Sequence, residues 1–352
     1  MNYMIQEVVV IRMKKFCMLC MVLLLAALLT SALAEEESSW FLEPGSEPVI
    51  TEDSYVSDNI AIHISRIRHE TPVGKIVQKS DIYVADIRVR NIRSFCRAYP
   101  GAAWGKQKKK ITPIAEESGA ILAMSGDSAS DLVGGWLVFN SELIRNGKKW
   151  SNYRRDVGIL YASGELVTKA FKEIDREALL AEIEGGKVWQ IFYFGPMLLD
   201  EEGHAMKKFN SDVNPVNPRS VIGYYEPGHY CFVQVDGRGT KSKLEPGKKN
   251  KGLTLANLSK FMEELGCKAA YNLDGGKTSQ LYFNGSVIST PENGGRKLGD
   301  IVLVREPLPT DILVEDFPAE TPSDSPTETP SDSPAEEPVA EESEPPAEIP
   351  EA

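Results

Sequence analysis

Histidine and cysteine are scarce in this chain. It has 352 residues but only 4 His and 5 Cys. The histidines (His63, His69, His204, His229) show no metal-ligand spacing, so a histidine-based zinc site is not expected. Two cysteines, Cys17 and Cys20, lie near the N-terminus, and the other three, Cys96, Cys231 and Cys267, are far apart. Such a set does not make a disulfide scaffold. Buried free thiols are expected, with a Cys231–Cys267 bridge as the alternative. Excess positive charge is missing as well. The chain carries 39 basic and 51 acidic residues, for a net charge of −12. Fifteen of the acidic residues, no Lys or Arg and 11 Pro fall between Glu306 and Ala352. Without that stretch the balance is 39 against 36, or +3. The body is nearly neutral, and a nucleic-acid partner has no support.

No apolar run is long enough for an ordinary membrane span, which takes about 20 residues. The longest runs from Met18 to Leu29, after Arg12, Lys14 and Lys15 and before Ala32-Leu33-Ala34. Positive flank, short apolar core and small-residue site describe a secretory signal peptide over residues 1–34. The protein is therefore expected to be secreted or extracytoplasmic, with association with the cell envelope as the alternative. Membrane contact would come only through this segment, left uncleaved as an anchor. Residues 35–59 read as a flexible lead-in. Residues 306–352, with near-repeats such as Thr321-Pro322-Ser323-Asp324-Ser325-Pro326, read as a disordered acidic tail. They offer too little apolar surface to offset the entropy of ordering.

Residues 60–305 alternate and punctuate like a folded domain. Ile60, Ile62 and Ile64 alternate with Ala61, His63 and Ser65. Asp81–Val89, Ala120–Met124, Trp136–Phe139, Val157–Tyr161, Val188–Phe194 and Ile301–Val304 read as strands. Val221–Tyr225 and Tyr230–Val235 flank a hairpin signal, and Asn284-Gly285 is a two-residue hairpin turn. Helices are expected after Thr112-Pro113, after Asp175 and after Thr254. The fold class expected is α+β: a single mixed domain with extensive β-sheet and a few packing helices.

One stretch is dense in chemistry: Asn272-Leu273-Asp274-Gly275-Gly276-Lys277-Thr278-Ser279. Glycines let a ligand come close to main-chain N–H groups, here those of Gly275 and Gly276. A carboxylate, a cation and two hydroxyls surround them. That composition suits a sugar or a phosphate. It is not a P-loop, because the first glycine of that motif falls on Tyr271. A plain glycine turn with solvated polar residues is the alternative.

Four motifs in order carry a family resemblance. They are Asn217-Pro218-Arg219-Ser220, Asp236-Gly237-Arg238, Gly252-Leu253-Thr254-Leu255 and the loop from Asn272. Gly195-Pro196 and Gly299-Asp300-Ile301 fit the same pattern. Together they resemble the phosphodiester glycosidase family over roughly Asp81 to Val304. Two departures stand out: Ser125-Gly126-Asp127-Ser128 lacks the family's asparagine and aromatic, and Lys277 replaces a glycine.

The resemblance implies hydrolysis of the bond between a sugar C1 and a phosphodiester oxygen, with a glycan phosphodiester as substrate. Asp127, Asp236 and Asp274 are then the candidate catalytic carboxyl groups. Arg219 and Arg238 would clamp the phosphate. Asn272, Thr278 and Ser279 would bind sugar hydroxyls, and Lys277 would neutralise charge on the leaving group. No cofactor is demanded; a divalent cation held by the aspartates is left open. Two other classes stand beside the enzyme: a non-catalytic glycan-binding member of the same family, and an envelope scaffold acting through its acidic tail.

Overall fold

Residues 60–73 and 76–89 pair as a long two-stranded ribbon inside the main sheet. The computed structural model describes residues 40–73, 76–127, 135–146, 155–209 and 211–309. The signal-like segment, Ser128 and the acidic tail beyond 309 lie outside these. No helix among the described residues is long and apolar enough to cross a membrane.

The main sheet has seven strands. In spatial order they are β1 (Val49–Ile50), β2 (Ser54–Val56), β3 (Ile60–Val73), β4 (Ile76–Val89), β13 (His229–Val235), β12 (Arg219–Glu226) and β14 (Ala269–Asn272). Every pairing in it is antiparallel. Two strands, β1 and β2, thus join the sheet ahead of Ile60, inside the stretch read as a lead-in. They are too short to show alternation, and the pairing of β1 with β2 and of β2 with β3 supplies what their sequence does not. At the other end, Glu306 accepts hydrogen bonds from the Tyr55 hydroxyl at 2.9 Å and the Asn59 amide at 3.2 Å.

A second sheet runs β16 (Ser286–Val287), β15 (Leu281–Phe283), β6 (Leu122–Ser125), β17 (Ile301–Val304) and β5 (Phe95–Ala98). A third runs β10 (Leu166–Lys169), β9 (Val157–Tyr161), β11 (Val188–Phe192), β7 (Trp136–Phe139) and β8 (Glu142–Asn146). The largest core cluster lies between the first two sheets and joins Ile62, Tyr83, Phe232 and Tyr271 to Leu122, Phe283 and Leu303. Burying an aliphatic or aromatic side chain contributes about 1.5–3 kcal/mol each, which makes this the main stabilising layer.

Among the described residues, three α-helices pack on the sheets: α1 (Ile111–Glu117), α2 (Arg176–Glu184) and α3 (Leu255–Glu264). Helix α3 has the expected single apolar face. Leu255, Leu258, Phe261 and Met262 are buried against Val221, Cys231 and Val233 on the far face of the main sheet. Its first turn is capped by Thr254 Oγ1, which accepts the Asn257 N–H at 3.2 Å. Asp175 caps α2 in the same way, at 3.0 Å from the N–H groups of Glu177 and Ala178. Thr112 does not cap α1. That helix begins at Ile111, and Thr112 and Pro113 sit inside its first turn. Proline is tolerated there because the first-turn N–H groups have no intrahelical acceptor.

The single mixed α+β domain holds, with sheet predominating. Cys96, Cys231 and Cys267 are buried free thiols. The Cys231 and Cys267 sulfurs stand 3.8 Å apart, well beyond bonding distance.

Candidate functional site

The four motifs meet main chain to main chain. The Pro218 carbonyl accepts the Gly276 N–H at 3.1 Å. A Cβ on Gly275 would stand 2.6 Å from that same carbonyl oxygen, so only glycine fits. Asn217 exchanges backbone hydrogen bonds with Leu253 at 3.1 and 3.0 Å, and Arg238 N–H donates to the Lys251 carbonyl at 3.2 Å. The motif residues are therefore first a scaffold, bringing chain segments from β12, β13, α3 and β14 to one point.

Asp274 sits at that point. Its N–H donates to the Gly126 carbonyl at 3.1 Å, and the Gly126 N–H donates to the Asp300 carbonyl at 3.2 Å. Glycine loop, β6 end and β17 start are stitched together. Between them lies a crevice of about 10 Å3, lined by Ser125, Gly126, Asp274, Thr278, Arg296 and Asp300, with Lys108 and Lys297 at its edge. That volume is room for about one water molecule. Arg296 donates to Asp274 Oδ2 at 3.0 Å, half exposed on its side of the pair. Three cations and two carboxylates surround the space, an arrangement that attracts an anionic group.

Asp300 is the residue sequence reasoning left without a role. It is 1% exposed, lines the crevice, and its Oδ1 has no hydrogen-bond partner. Its Oδ2 accepts the Arg97 guanidinium at 2.5 Å and the Asp127 N–H at 3.1 Å. A buried carboxylate oxygen left unbonded beside a crevice is an uncommon and costly feature. The sequence marks Gly299-Asp300-Ile301 only as part of the family pattern. Two signals could have marked Asp300: a carboxylate beside a glycine, and its place directly before β17. Arg296 and Lys108 carried no signal, since no motif contains them.

The expected catalytic carboxylates do not share one space. Asp274 faces the crevice. Asp127 is fully buried behind it. Both of its oxygens accept backbone N–H groups, from Tyr193 and Phe194 at 2.6 Å each, and Arg97 Nη2 stands 3.8 Å away. Burial pushes its carboxyl up to about 6, against the pull of Arg97. Asp236 lies elsewhere, beside Tyr83 and Thr290, with Oδ2 accepting the Thr290 N–H at 2.9 Å. Burial pushes it up to about 7.

The arginines also part. Arg219 is 2% exposed and turned onto main-chain carbonyls: Leu253 at 3.0 Å, Val213 at 2.7 Å and Pro215 at 2.5 Å. Burial first, then the charge of Arg238, lowers its guanidinium to about 10. Arg238 is exposed, pairs with Glu292 at 2.9 Å and donates to Asn217 Oδ1 at 3.1 and 2.9 Å. Its backbone φ of +53° is in the left-handed region, which is unusual for arginine. Its guanidinium lies against Gly276, where a Cβ would meet it at 2.8 Å.

Among the hydroxyl and amide candidates, only Thr278 lines the crevice. Asn272 is buried and donates to the Gly195 carbonyl at 2.8 Å, next to the cis Gly195–Pro196 bond. Ser279 is buried 3.4 Å from Ser220 Oγ. Lys277 is exposed and is absent from the crevice lining. Ser125, the other departure, bonds Ser220 Oγ at 2.8 Å and the Asp274 carbonyl at 3.2 Å. Ser128 lies outside the described residues.

Asp200, Glu202 and His204 bring three potential metal-ligand atoms together on a partly exposed turn, away from these motifs. Asp200 Oδ1 there accepts the N–H groups of Glu202 and His204 at 3.2 and 2.7 Å.

A family model for phosphodiester glycosidases matches residues 117–305, more than half of the chain. Bovine N-acetylglucosamine-1-phosphodiester alpha-N-acetylglucosaminidase is 25% identical over 235 residues, covering 59% of this chain and 41% of its own length. A Bacillus subtilis prophage-derived protein, YomE, is 25% identical over 138 residues, covering 39% of this chain and 20% of its own. The chain thus spans less than half the length of these curated relatives. In structure, the catalytic domain of the zebrafish N-acetylglucosamine-1-phosphodiester alpha-N-acetylglucosaminidase, auto-inhibited by its pro-peptide, aligns with TM-score 0.56 and 16% identity. That alignment covers 70% of this chain and 83% of the zebrafish one.

Proposed function

Because the chain belongs to the phosphodiester glycosidase family, we propose that it hydrolyses the C1–O bond of a sugar-1-phosphodiester at the Asp274 crevice. The observation that carries this reading is the meeting of Asp274 and Asp300 on one narrow crevice edged by Arg296, Lys108 and Lys297. Glycoside hydrolysis generally uses two carboxyl groups across the scissile bond. The cations match the charge of a phosphodiester.

In this reading, water adds at C1 and the C1–O bond breaks. The bond's electron pair leaves with the phosphate oxygen, and the free sugar keeps the new hydroxyl. Phosphate is a good leaving group, so protonating it matters less than positioning it. Arg296, Lys108 and Lys297 hold the departing phosphate. Asp274 and Asp300 flank the sugar carbon, where one carboxylate can take the proton of water or stabilise developing positive charge. Substrate entry displaces Arg296 from Asp274 and moves the cation onto the phosphate.

Asp127 acts through Asp300 by holding the 193–194 main chain behind it, and Arg219 acts by fixing the 213–217 loop. These are positioning roles. The substrate is a glycan or glycoconjugate phosphodiester met outside the cytoplasm, a reading that rests on the signal-like N-terminus. A second reading, a glycan-binding member without turnover, is favoured by the closed Arg296–Asp274 pair. Release of free sugar from a sugar-1-phosphodiester, lost in Asp274→Asn, separates the two.

A further inference from the structure

The crevice at Asp274 stands in a field of positive charge wider than one phosphodiester needs. Three chain segments carry it: Lys106-Gln107-Lys108-Lys109-Lys110, Arg296-Lys297, and Lys277 in the glycine loop. Backbone bonds lay them side by side. Lys109 and Leu298 exchange hydrogen bonds at 3.2 and 2.7 Å, and the Arg296 N–H donates to the Lys277 carbonyl at 3.0 Å. Neighbouring extended segments lie about 4.8 Å apart, so the three span roughly 10 Å. Lys106, in the same segment as Lys109, carries the field up to about 10 Å further.

These cations collect in a body that is nearly neutral overall, and all of them except the half-buried Lys109 are exposed. The acidic side chains that reach them are already matched. Lys109 pairs with Glu117 at 2.5 and 2.9 Å, Arg296 with Asp274 at 3.0 Å, and Glu292 with Arg238 at 2.9 Å. Lys110 Nζ donates to carbonyls, Gly294 at 2.8 Å and Gly295, so its charge is not neutralised. Lys106, Lys277 and Lys297 make no ion pair among the described residues. Four positive charges without a carboxylate therefore surround one crevice, and such a field draws in anions.

One phosphodiester carries one negative charge, and Arg296, Lys108 and Lys297 at the crevice edge suffice for it. The crevice holds only about 10 Å3, so any further anionic group lies outside it, over Lys106, Lys110 and Lys277. Charge complementarity calls for a ligand with several phosphates in a row. A nucleic acid fits less well, because single-strand sites stack bases on aromatic side chains. These segments contain no aromatic residue, and the neighbouring Trp104 is half-buried with the Arg145 guanidinium 5.6 Å from its ring.

We propose that the substrate is polymeric, a glycan whose sugars are joined through phosphodiesters, and that Lys106, Lys110 and Lys277 hold phosphates flanking the one at the crevice. The proposal rests on the reading of the crevice as the sugar-phosphate site. The flanking contacts leave the reacting bond untouched and add affinity by holding several links of one chain at once.

The test is fluorescence anisotropy on the full-length protein carrying Asp274→Asn, which keeps the probes intact. The probes are end-labelled N-acetylglucosamine oligomers joined by 1,6-phosphodiesters, with one, two and four phosphates. A thymidine oligonucleotide with four phosphates matches the charge. The four-phosphate glycan is expected to bind at least ~10-fold more tightly than the one-phosphate unit, a gain that shrinks with added salt. Lys106→Ala combined with Lys277→Ala, both at exposed positions, should remove most of that gain and leave the one-phosphate Kd within about 3-fold. Equal affinity for one and four phosphates overturns the proposal. So does a gain that the double variant keeps in full, or an oligonucleotide that binds as tightly as the four-phosphate glycan. Hydrolysis fails separately. Wild type that grips the four-phosphate chain through these lysines yet releases no sugar refutes the glycosidase reading and keeps the polymer site. Turnover with the same KM for one and four phosphates does the reverse.

Discussion

The Pro218 carbonyl oxygen accepts the Gly276 N–H at 3.1 Å, and with that bond the arginine motif and the glycine loop become one structure. Motifs more than fifty residues apart in the chain owe their recurrence here to backbone contact as much as to chemistry. Gly275 shows it most clearly. It has no room for a Cβ, because the Pro218 oxygen would be 2.6 Å away.

Gly275→Ala should therefore destabilise the protein by about 1–3 kcal/mol, the usual cost of overpacking a tight contact. Urea unfolding of the variant beside wild type measures it. An unchanged midpoint would mean the loop shifts freely, and the Pro218 contact would not be what fixes Asp274.

Arg219 is held by carbonyls at Leu253, Val213 and Pro215, so its first duty is the loop. Arg219→Lys keeps the charge and loses the fork. The expected loss is about 1–3 kcal/mol of stability, from buried carbonyls left short of donors. Melting should report it before kinetics does. Full stability with a raised KM would instead place Arg219 on the phosphate.

Arg296 gives the opposite expectation. It is half exposed and makes its ion pair at the crevice edge, so removing it disturbs the core little. Arg296→Ala should raise KM for a sugar-1-phosphodiester by about 10–100-fold, the value of one charge-assisted hydrogen bond to an anion. Melting temperature should stay near wild type. Steady-state kinetics at two salt concentrations checks this, because a charge contact also weakens with salt.

Asp236 predicts a pH dependence of stability. Its carboxyl is raised by burial from 3.8 to about 7 in the folded protein. Between these values the native state holds a proton that the unfolded chain releases. The stability it contributes is full below about pH 4 and is lost as pH rises toward 7. Asp236→Asn keeps the shape and cannot ionise, so its stability should fall less over that window. The wild-type-minus-variant difference should move by roughly 2–4 kcal/mol, in the direction of relative loss for wild type as pH rises. Denaturant titrations at pH 4.5, 6 and 7.5 read it; parallel curves would mean Asp236 is already ionised at the lowest pH.

Much of the framework was legible in the residues. The spacing of Leu255, Leu258, Phe261 and Met262 shows which face of α3 is buried, and Asn284-Gly285 marks the turn between β15 and β16. The order of the four motifs led to the family. What could not be read is which motif residues face a cavity. Arg219 and Asp127 look like functional groups in a string of letters, and both turn inward onto backbone groups. Asp300 and Arg296 reach the crevice because β17 pairs with β6, a contact between residues about 180 positions apart that no local pattern encodes. Thr112 failed as a cap for a smaller reason: Ile111 already lies within the helix, so the hydroxyl comes too late.

The central claim is that Asp274 sits in a hydrolytic crevice, and one measurement tests it most directly. Purified protein is given a sugar-1-phosphodiester, and free reducing sugar is followed for wild type and Asp274→Asn. The account predicts turnover by wild type and a loss of about 1,000-fold or more in kcat for the variant, with the fold intact by circular dichroism. Turnover that survives Asp274→Asn would contradict it and move the chemistry to another part of the molecule.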